Sequence, residues 1–159
     1  MIKISHTSNQ IQITKQGLEA LQEELSALKE EKRPKLVDRL AYARTQGDLA
    51  ENSDYQNAKD ELEFLDGRIS ELEEVLKNAV VYRGGGKRTQ VAFGTKVGLQ
   101  ANGKKHSFEI VGEWESDPTE RRISHTSPLG KALLGKRVGE KVEVEAPAGK
   151  VVYKILSIE

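Results

Sequence analysis

From Leu18 to Ala79, apolar side chains recur at intervals of three and four residues. The second part of the stretch is the more regular. Tyr55, Ala58, Leu62, Leu65, Ile69, Leu72, Leu76 and Ala79 alternate the two steps without a break. A seam of that kind is the mark of a coiled coil. The first part runs Leu18, Leu21, Leu25, Leu28, Lys32, Leu36, Leu40, Ala43, with successive steps of four around Pro34. Such steps make a stutter, and an internal proline withdraws a backbone donor, so a kink is predicted there.

The two lists pair in reverse. Leu18 with Ala79, Leu21 with Leu76, Leu25 with Leu72, Leu28 with Ile69 and Lys32 with Leu65 have residue numbers that add to 97. Leu36 with Leu62, Leu40 with Ala58 and Ala43 with Tyr55 add to 98. Constant sums predict an antiparallel helical hairpin whose chain folds back between residues 48 and 49. Arms of about 26–33 residues, at ~1.5 Å each, make it roughly 40–50 Å long. Thr14 is placed to cap the first helix and Gly47 to stop it. Ser53 with Gln56 reads as a capping box opening the second helix, which leaves Asp48–Asn52 as the turn.

The pattern then changes. YRGGGKRTQ (82–90) reads as a flexible, basic connection, and its GGGK lacks the spacing and the following Ser/Thr of a phosphate loop. Residues 91–159 alternate as strands do. Asn102-Gly103 marks a hairpin turn, Pro128–Leu134 a short helix ended by Gly135, and Pro147 and Gly149 the turn between two last strands. The expected organisation is a coiled-coil hairpin domain over 1–82 with its tip at 48–51, a linker over 83–90, and a small antiparallel α+β domain over 91–159. Trp114 and Phe108 are expected in the core of the latter.

Charge sharpens the division. Formal net charge is zero, yet residues 14–82 hold 10 Lys/Arg against 16 Asp/Glu, a net of −6, while residues 83–159 hold 14 against 9, a net of +5. A bipolar molecule that docks on a charged partner fits better than a general nucleic-acid coat. The chain has no cysteine, which excludes disulfides, thiol catalysis and zinc–thiolate sites. No run approaches a membrane span and MIKISHTSNQ lacks a signal peptide's apolar core, so a cytoplasmic location is expected. ISHTS occurs twice, at 4–8 and 123–127, in contexts that define no repeat unit.

Few residues carry a chemical signal. His6, His106 and His125 are scattered without metal-ligand spacing. The runs KEEKRPK (29–35) and ELEEVLK (71–77) read as solvated helix faces. The apex differs. Asp48 and Glu51 stand three residues apart in GDLAENSDY (47–55), with Asp54 beyond. Asp54 suits the first turn of a helix, whereas an anion at Asp48, just past a helix C-terminus, opposes the macrodipole. Mg²⁺ takes six oxygens and is often held by one or two carboxylates plus water or substrate phosphates. Asp48 and Glu51 therefore amount to half a metal site that another molecule must complete. Arg44 and Lys59 lie within about two turns of the apex, one on each arm, where phosphate is one partner and local acids are the other.

GDLAENSDY, with AYART before it and AKDELEFLDGRISELE after it, resembles the coiled-coil tip of the bacterial transcript cleavage factors, the Gre family of elongation factors. ISHTSPLGKALLGKRVGEKVEVEAPAGKVVYKILSI is similar to the closing part of that family's FKBP-like C-terminal domain, so the resemblance spans about residues 10–159. It implies a factor that binds RNA polymerase at the secondary channel, its globular domain on the β′ rim helices and its hairpin reaching the active site. There the factor stimulates the polymerase's own hydrolysis of backtracked RNA and is not itself an enzyme. Matched by motif, Asp48 and Glu51 are the acidic pair that shares the second Mg²⁺, in the complex only. Arg44 and Lys59 match positions that contact the extruded RNA 3′ end, and Ser127 and Pro128 the loop that touches the rim helices. DNA binding is a further implied property, and the free protein is expected to be a monomer. The leading MIKISHTSN is longer than the family pattern needs. Gln56 and Asn57 stand where a stronger basic face would continue, which favours the GreA type over the GreB type. Two alternatives are a secondary-channel inhibitor, against which the intact D-x-x-E speaks, and a peptidyl-prolyl isomerase, against which the few aromatic residues of 91–159 speak.

Overall fold

The structure is a computed structural model and describes residues 10–83 and 88–159. The first copy of ISHTS, His6, the leading MIKISHTSN and the glycine run of the expected linker lie outside the described residues. The chain divides into two compact units.

One unit, Leu18–Ala79, is the helical hairpin. Its elements are α1 (Lys15–Ala27), a π-helical turn (Leu28–Lys32), α2 (Arg33–Thr45) and α3 (Ser53–Asn78). Most of the buried positions lie on the predicted seam, although Lys32, which the seam included, is exposed. Leu21, Leu28, Ala43, Ala58, Leu65, Ile69 and Leu72 are all buried, as is Val75, which the seam did not include. The stutter does not break the helix. Arg33 N–H donates to Leu28 O, a bond that reaches back five residues, so the π turn absorbs the extra residue. Pro34 follows directly, and because Lys32 and Arg33 keep right-handed helical backbone, the helix runs on into the proline.

The charged faces are solvated, as expected, but most of their pairs join the two arms. Among the described residues, Arg68–Glu71 is the one intrahelical pair at three-residue spacing. Lys29–Glu73 (2.8 Å), Arg33–Asp66 (2.7 Å), Arg39–Glu61 (3.0 Å) and Arg68–Glu24 (2.9 Å) all cross between the arms. Exposed pairs contribute little stability, but opposite charges placed across a seam disfavour other registers.

The second unit comprises residues 10–17 and 80–159. Strand β1 (Ile11–Ile13) pairs with β2 (Ala79–Val81), so the residues flanking the hairpin are strand rather than coiled coil. The main sheet contains β3 (Lys96–Ala101), β4 (Lys104–Val111), β5 (Arg122–Ser124), β6 (Lys141–Ala146) and β7 (Gly149–Ile158), in the order β5-β4-β3-β7-β6. The domain was expected to be antiparallel throughout. Three pairings are, but β4 and β5 run parallel, because the chain between them passes through two 3₁₀ turns instead of a hairpin. Asn102 and Gly103, at φ 51° and 75°, form the predicted β3–β4 turn. Helix α4 (Pro128–Leu133) packs with the sheet, and Val91, Val97, Leu99, Ile110, Leu133, Val142 and Ile155 make the core. Phe108 borders that core, while Trp114 is half-buried outside it. No helix among the described residues is long and apolar enough to cross a membrane.

Candidate functional site: the hairpin tip

Helix α2 ends at Thr45, and the chain reverses through two successive left-handed residues, Gly47 (φ 74°) and Asp48 (φ 50°). Glycine adopts that region freely, and aspartate tolerates it better than most residues. Glu51 N–H then donates to Asp48 O at 3.0 Å. The two acids are thus the first and last residues of one turn, with Cα atoms within about 7 Å of each other. Both are exposed. A single turn thus presents two carboxylates to solvent.

The helix start differs from the predicted capping box. The N-cap is Asn52, not Ser53, and Ser53 is already helical. Asn52 Oδ1 accepts from Tyr55 N–H at 3.1 Å. The same amide's Nδ2 donates to Ala43 O at 2.8 Å and to Gly47 O at 3.4 Å. A backbone N–H only donates and a carbonyl only accepts, so these partners fix which way the amide faces. Gln56 adds a second tie, its Nε2 donating to Leu49 O at 3.0 Å. Sequence reasoning missed both roles. An asparagine before a helix signals an N-cap, but its reach back to α2 requires the fold.

The other candidates divide. The Arg44 guanidinium sits 5.9 Å from the ring centroid of Tyr55, a cation–π pair across the two arms beside the tip. Lys59 is exposed on α3. Asp54 lies in the first turn of α3, as expected, but is also bound by Arg39 at 2.7 Å. Among the described residues, no group of three His, Cys, Asp or Glu is placed to hold a metal ion. Asp48 and Glu51 supply hard oxygen donors of the kind Mg²⁺ prefers, too few to enclose one.

In the second unit, Ser127 is the N-cap of α4. Its Oγ accepts from Gly130 N–H at 3.0 Å and donates to Ser124 O at 2.7 Å. Both bonds are internal, so the hydroxyl shapes the loop, while Pro128, at the helix start, is exposed. Two histidines make aromatic contacts. His106 stacks on Phe108, and His125 meets the Phe93 ring edge-on. A feature the sequence did not suggest is Glu115, whose side chain is 2% exposed. It accepts from Thr14 N–H at 2.7 Å, from the Thr14 hydroxyl, and from Arg122 Nη2 at 2.8 Å. Thr14 in turn caps α1 through Gly17 N–H, as predicted.

Residues 11–81 match the family described as transcription elongation factor, N-terminal, and residues 86–159 match transcription elongation factor, GreA/GreB, C-term. The chain is 43% identical over 150 residues to transcription elongation factor GreA of Bacillus anthracis, covering 92% of this chain and 95% of that protein. It is 46% identical over 154 residues to GreA of Thermoanaerobacter pseudethanolicus, covering 95% and 98%. The crystal structure of GreA factor homolog 1 of Thermus thermophilus is similar at 30% identity, over 95% of this chain and 99% of that one, with a TM-score of 0.45. With both halves matched and such identity over almost the whole length, the chain belongs to the GreA/GreB family of bacterial transcription elongation factors, and within it to the GreA type.

Proposed function

We propose that this protein binds RNA polymerase at its secondary channel and stimulates the polymerase's own hydrolysis of backtracked RNA. The observation that carries the reading is the Asp48–Glu51 turn, two exposed carboxylates at the fold-back of a long hairpin. An incomplete acidic site at the end of an extended element makes chemical sense when another macromolecule supplies the remaining ligands. Asp48 and Glu51 are the residues that would help hold Mg²⁺ in the polymerase active site. When bound, such an ion lowers the pKa of a water and clamps the attacking and leaving oxygens.

The remaining roles fall to this chain's own groups. Arg44, steadied by the Tyr55 ring, and Lys59 face the phosphates of the extruded RNA 3′ end. The loop around Ser127 and Pro128 docks on the β′ rim helices, with Pro128 as an exposed contact and Ser127 holding the loop's shape. The protein acts in the cytoplasm as a cofactor and has no nuclease activity of its own.

The test is RNA release from a stalled, backtracked complex. Replacing Asp48 and Glu51 together by alanine abolishes cleavage and leaves polymerase affinity within about twofold. Normal cleavage by the double variant overturns the tip mechanism. Hydrolysis of RNA by the factor without polymerase overturns the cofactor reading.

A further inference from the structure

A turn that contributes only two ligands has to present them in a fixed geometry, since misplacement by about 1 Å can cost two orders of magnitude in rate. The backbone of 47–51 has little intrinsic rigidity. Two successive residues are left-handed, the whole segment is exposed, and one backbone hydrogen bond, Glu51 to Asp48, spans the turn. Its order has to come from side chains, and Asn52 is the side chain that reaches both helices.

The geometry points to Asn52 as the positioning residue for the tip carboxylates, a role that rests on the function proposed above. One amide satisfies the ends of two helices at once. Through Oδ1 it caps the N-terminus of α3 at Tyr55. Through Nδ2 it satisfies the carbonyl of Ala43 in the last turn of α2 and that of Gly47 at the start of the reversal. Tyr55 N–H is a group that a helix start otherwise leaves unpaired, while Ala43 O already accepts from Gln46 N–H at 3.2 Å and takes the Asn52 amide as a second donor. Ala43 is 1% exposed, so its carbonyl lies in the packed part of the hairpin, and the tie anchors the loop to a rigid point. Gln56 restrains the middle of the turn at Leu49. Asp48 and Glu51 are held between the two amides.

The chemistry selects the variant. Asn52→Ser keeps an N-cap oxygen, because serine and asparagine cap comparably well, but is too short to reach Ala43 O. It separates the cap from the tie, which Asn52→Ala does not. Asn52→Ser, Asp48→Ala and wild type are compared by backbone NMR relaxation at residues 48–51, polymerase affinity, thermal unfolding, and cleavage at saturating factor. For Asn52→Ser the expected result is a melting temperature within about 2 °C of wild type. Affinity stays within about twofold. Order parameters at 48–51 fall from about 0.85 toward 0.6 or below. The saturated cleavage rate drops by about tenfold or more. Loss of a merely structural contact would lower the melting temperature without splitting rate from affinity.

Tip order unchanged in Asn52→Ser overturns the inference, whatever the cleavage rate. Order lost with cleavage intact, while Asp48→Ala is inactive, also overturns it, because positioning would then not limit the reaction. Full cleavage by Asp48→Ala overturns the proposed function instead, and the relaxation data still decide whether Asn52 orders the tip.

Discussion

Arg39 on α2 grips Asp54 on α3: its Nη2 lies 2.7 Å and its Nε 3.1 Å from Asp54 Oδ1, while Nη1 reaches Glu61 at 3.0 Å. Three acids lie in the tip sequence, and this pairing separates one from the other two. Asp54 is neutralised by a neighbour and sits where a helix start favours an anion. These hydrogen bonds hold the Arg39 guanidinium above its usual value, Asp54 being the larger cause and Glu61 the next. Asp54→Asn is therefore expected to leave transcript cleavage within about twofold of wild type, whereas Asp48→Asn lowers it by about two orders of magnitude or more. Cleavage assays on a single backtracked complex check this. Equal losses in both variants would return Asp54 to the candidate metal ligands.

Glu115 makes a different kind of prediction. Its carboxylate gathers Thr14 and Arg122 in a place almost closed to water. Removing one partner of such a set leaves the others desolvated and unpaired. Glu115→Ala is expected to destabilise the globular unit by about 2–4 kcal/mol, discounted because the Arg122 side chain is 24% exposed. For a chain of this size that is a fall in melting temperature of roughly 5–15 °C. Glu115→Gln keeps the shape and part of the hydrogen bonding and falls between. Because the tip is a separate site, cleavage per bound factor at a permissive temperature stays unchanged in both. Thermal unfolding followed by circular dichroism measures the first effect, and cleavage at saturating factor the second.

How much of this was legible beforehand follows from the range of each interaction. The hairpin was readable because its seam repeats over some sixty residues, and a repeat specifies both the helices and their register. The apex followed from the same arithmetic, so Asp48 and Glu51 could be placed without side-chain detail. The helix start could not. Asn52 and Ser53 are both good caps, and the choice between them depends on where α2 offers Ala43 O to the Asn52 amide. The π turn was visible only as a stutter, since spacing shows an extra residue but not how the backbone absorbs it. The parallel β4–β5 pairing and the Glu115 cluster join positions whose partners no local pattern announces, Thr14 and Glu115 lying 101 residues apart.

Two carboxylates give the stability a sign in acid. Asp66 is held below its ordinary value of 3.8, chiefly by its hydrogen bonds from Arg33 and then by that residue's charge. Asp117 is likewise lowered, chiefly by the Thr119 hydroxyl and then by the Thr119 N–H. A folded-state value below the unfolded one means the unfolded chain binds protons first as pH falls. The stabilisation is fully present above the ordinary carboxylate range and is lost as pH drops through the depressed folded values. Both groups are partly exposed, so the effect is small and weakened by salt. Melting temperature is expected to be flat from these groups between about pH 5 and 8 and to decline below about pH 4. Arg33→Ala should flatten the acid limb of hairpin unfolding, measured in low salt from pH 2.5 to 7. An unchanged limb would show that the Arg33–Asp66 pair is not maintained in solution.

The docking loop is best tested through Gly130, a buried residue. A Cβ at Gly130 would overlap the carbonyl oxygen of Ser124 and come within 3.0 Å of Ser127 Oγ and 3.1 Å of His125 Cα. Two of these neighbours are backbone and the third is the capping hydroxyl, so none is a flexible side-chain end that moves aside. Gly130→Ala must therefore displace the 124–130 loop or the start of α4, and Pro128 moves with it. Ser127→Ala removes the hydroxyl that joins Gly130 N–H to Ser124 O, a loss of about 1 kcal/mol by analogy with other helix caps. Polymerase affinity is expected to fall by about tenfold or more in Gly130→Ala and by less in Ser127→Ala. Pro128→Asp, which places a charge on the exposed face without disturbing the cap, should weaken docking to a similar degree as Gly130→Ala. All three retain the tip, so cleavage recovers at saturating factor, a split between apparent affinity and maximal rate opposite to that of Asn52→Ser. Competition binding against labelled wild type gives the affinities. Unchanged affinity in both Gly130→Ala and Pro128→Asp would remove this loop from the polymerase interface.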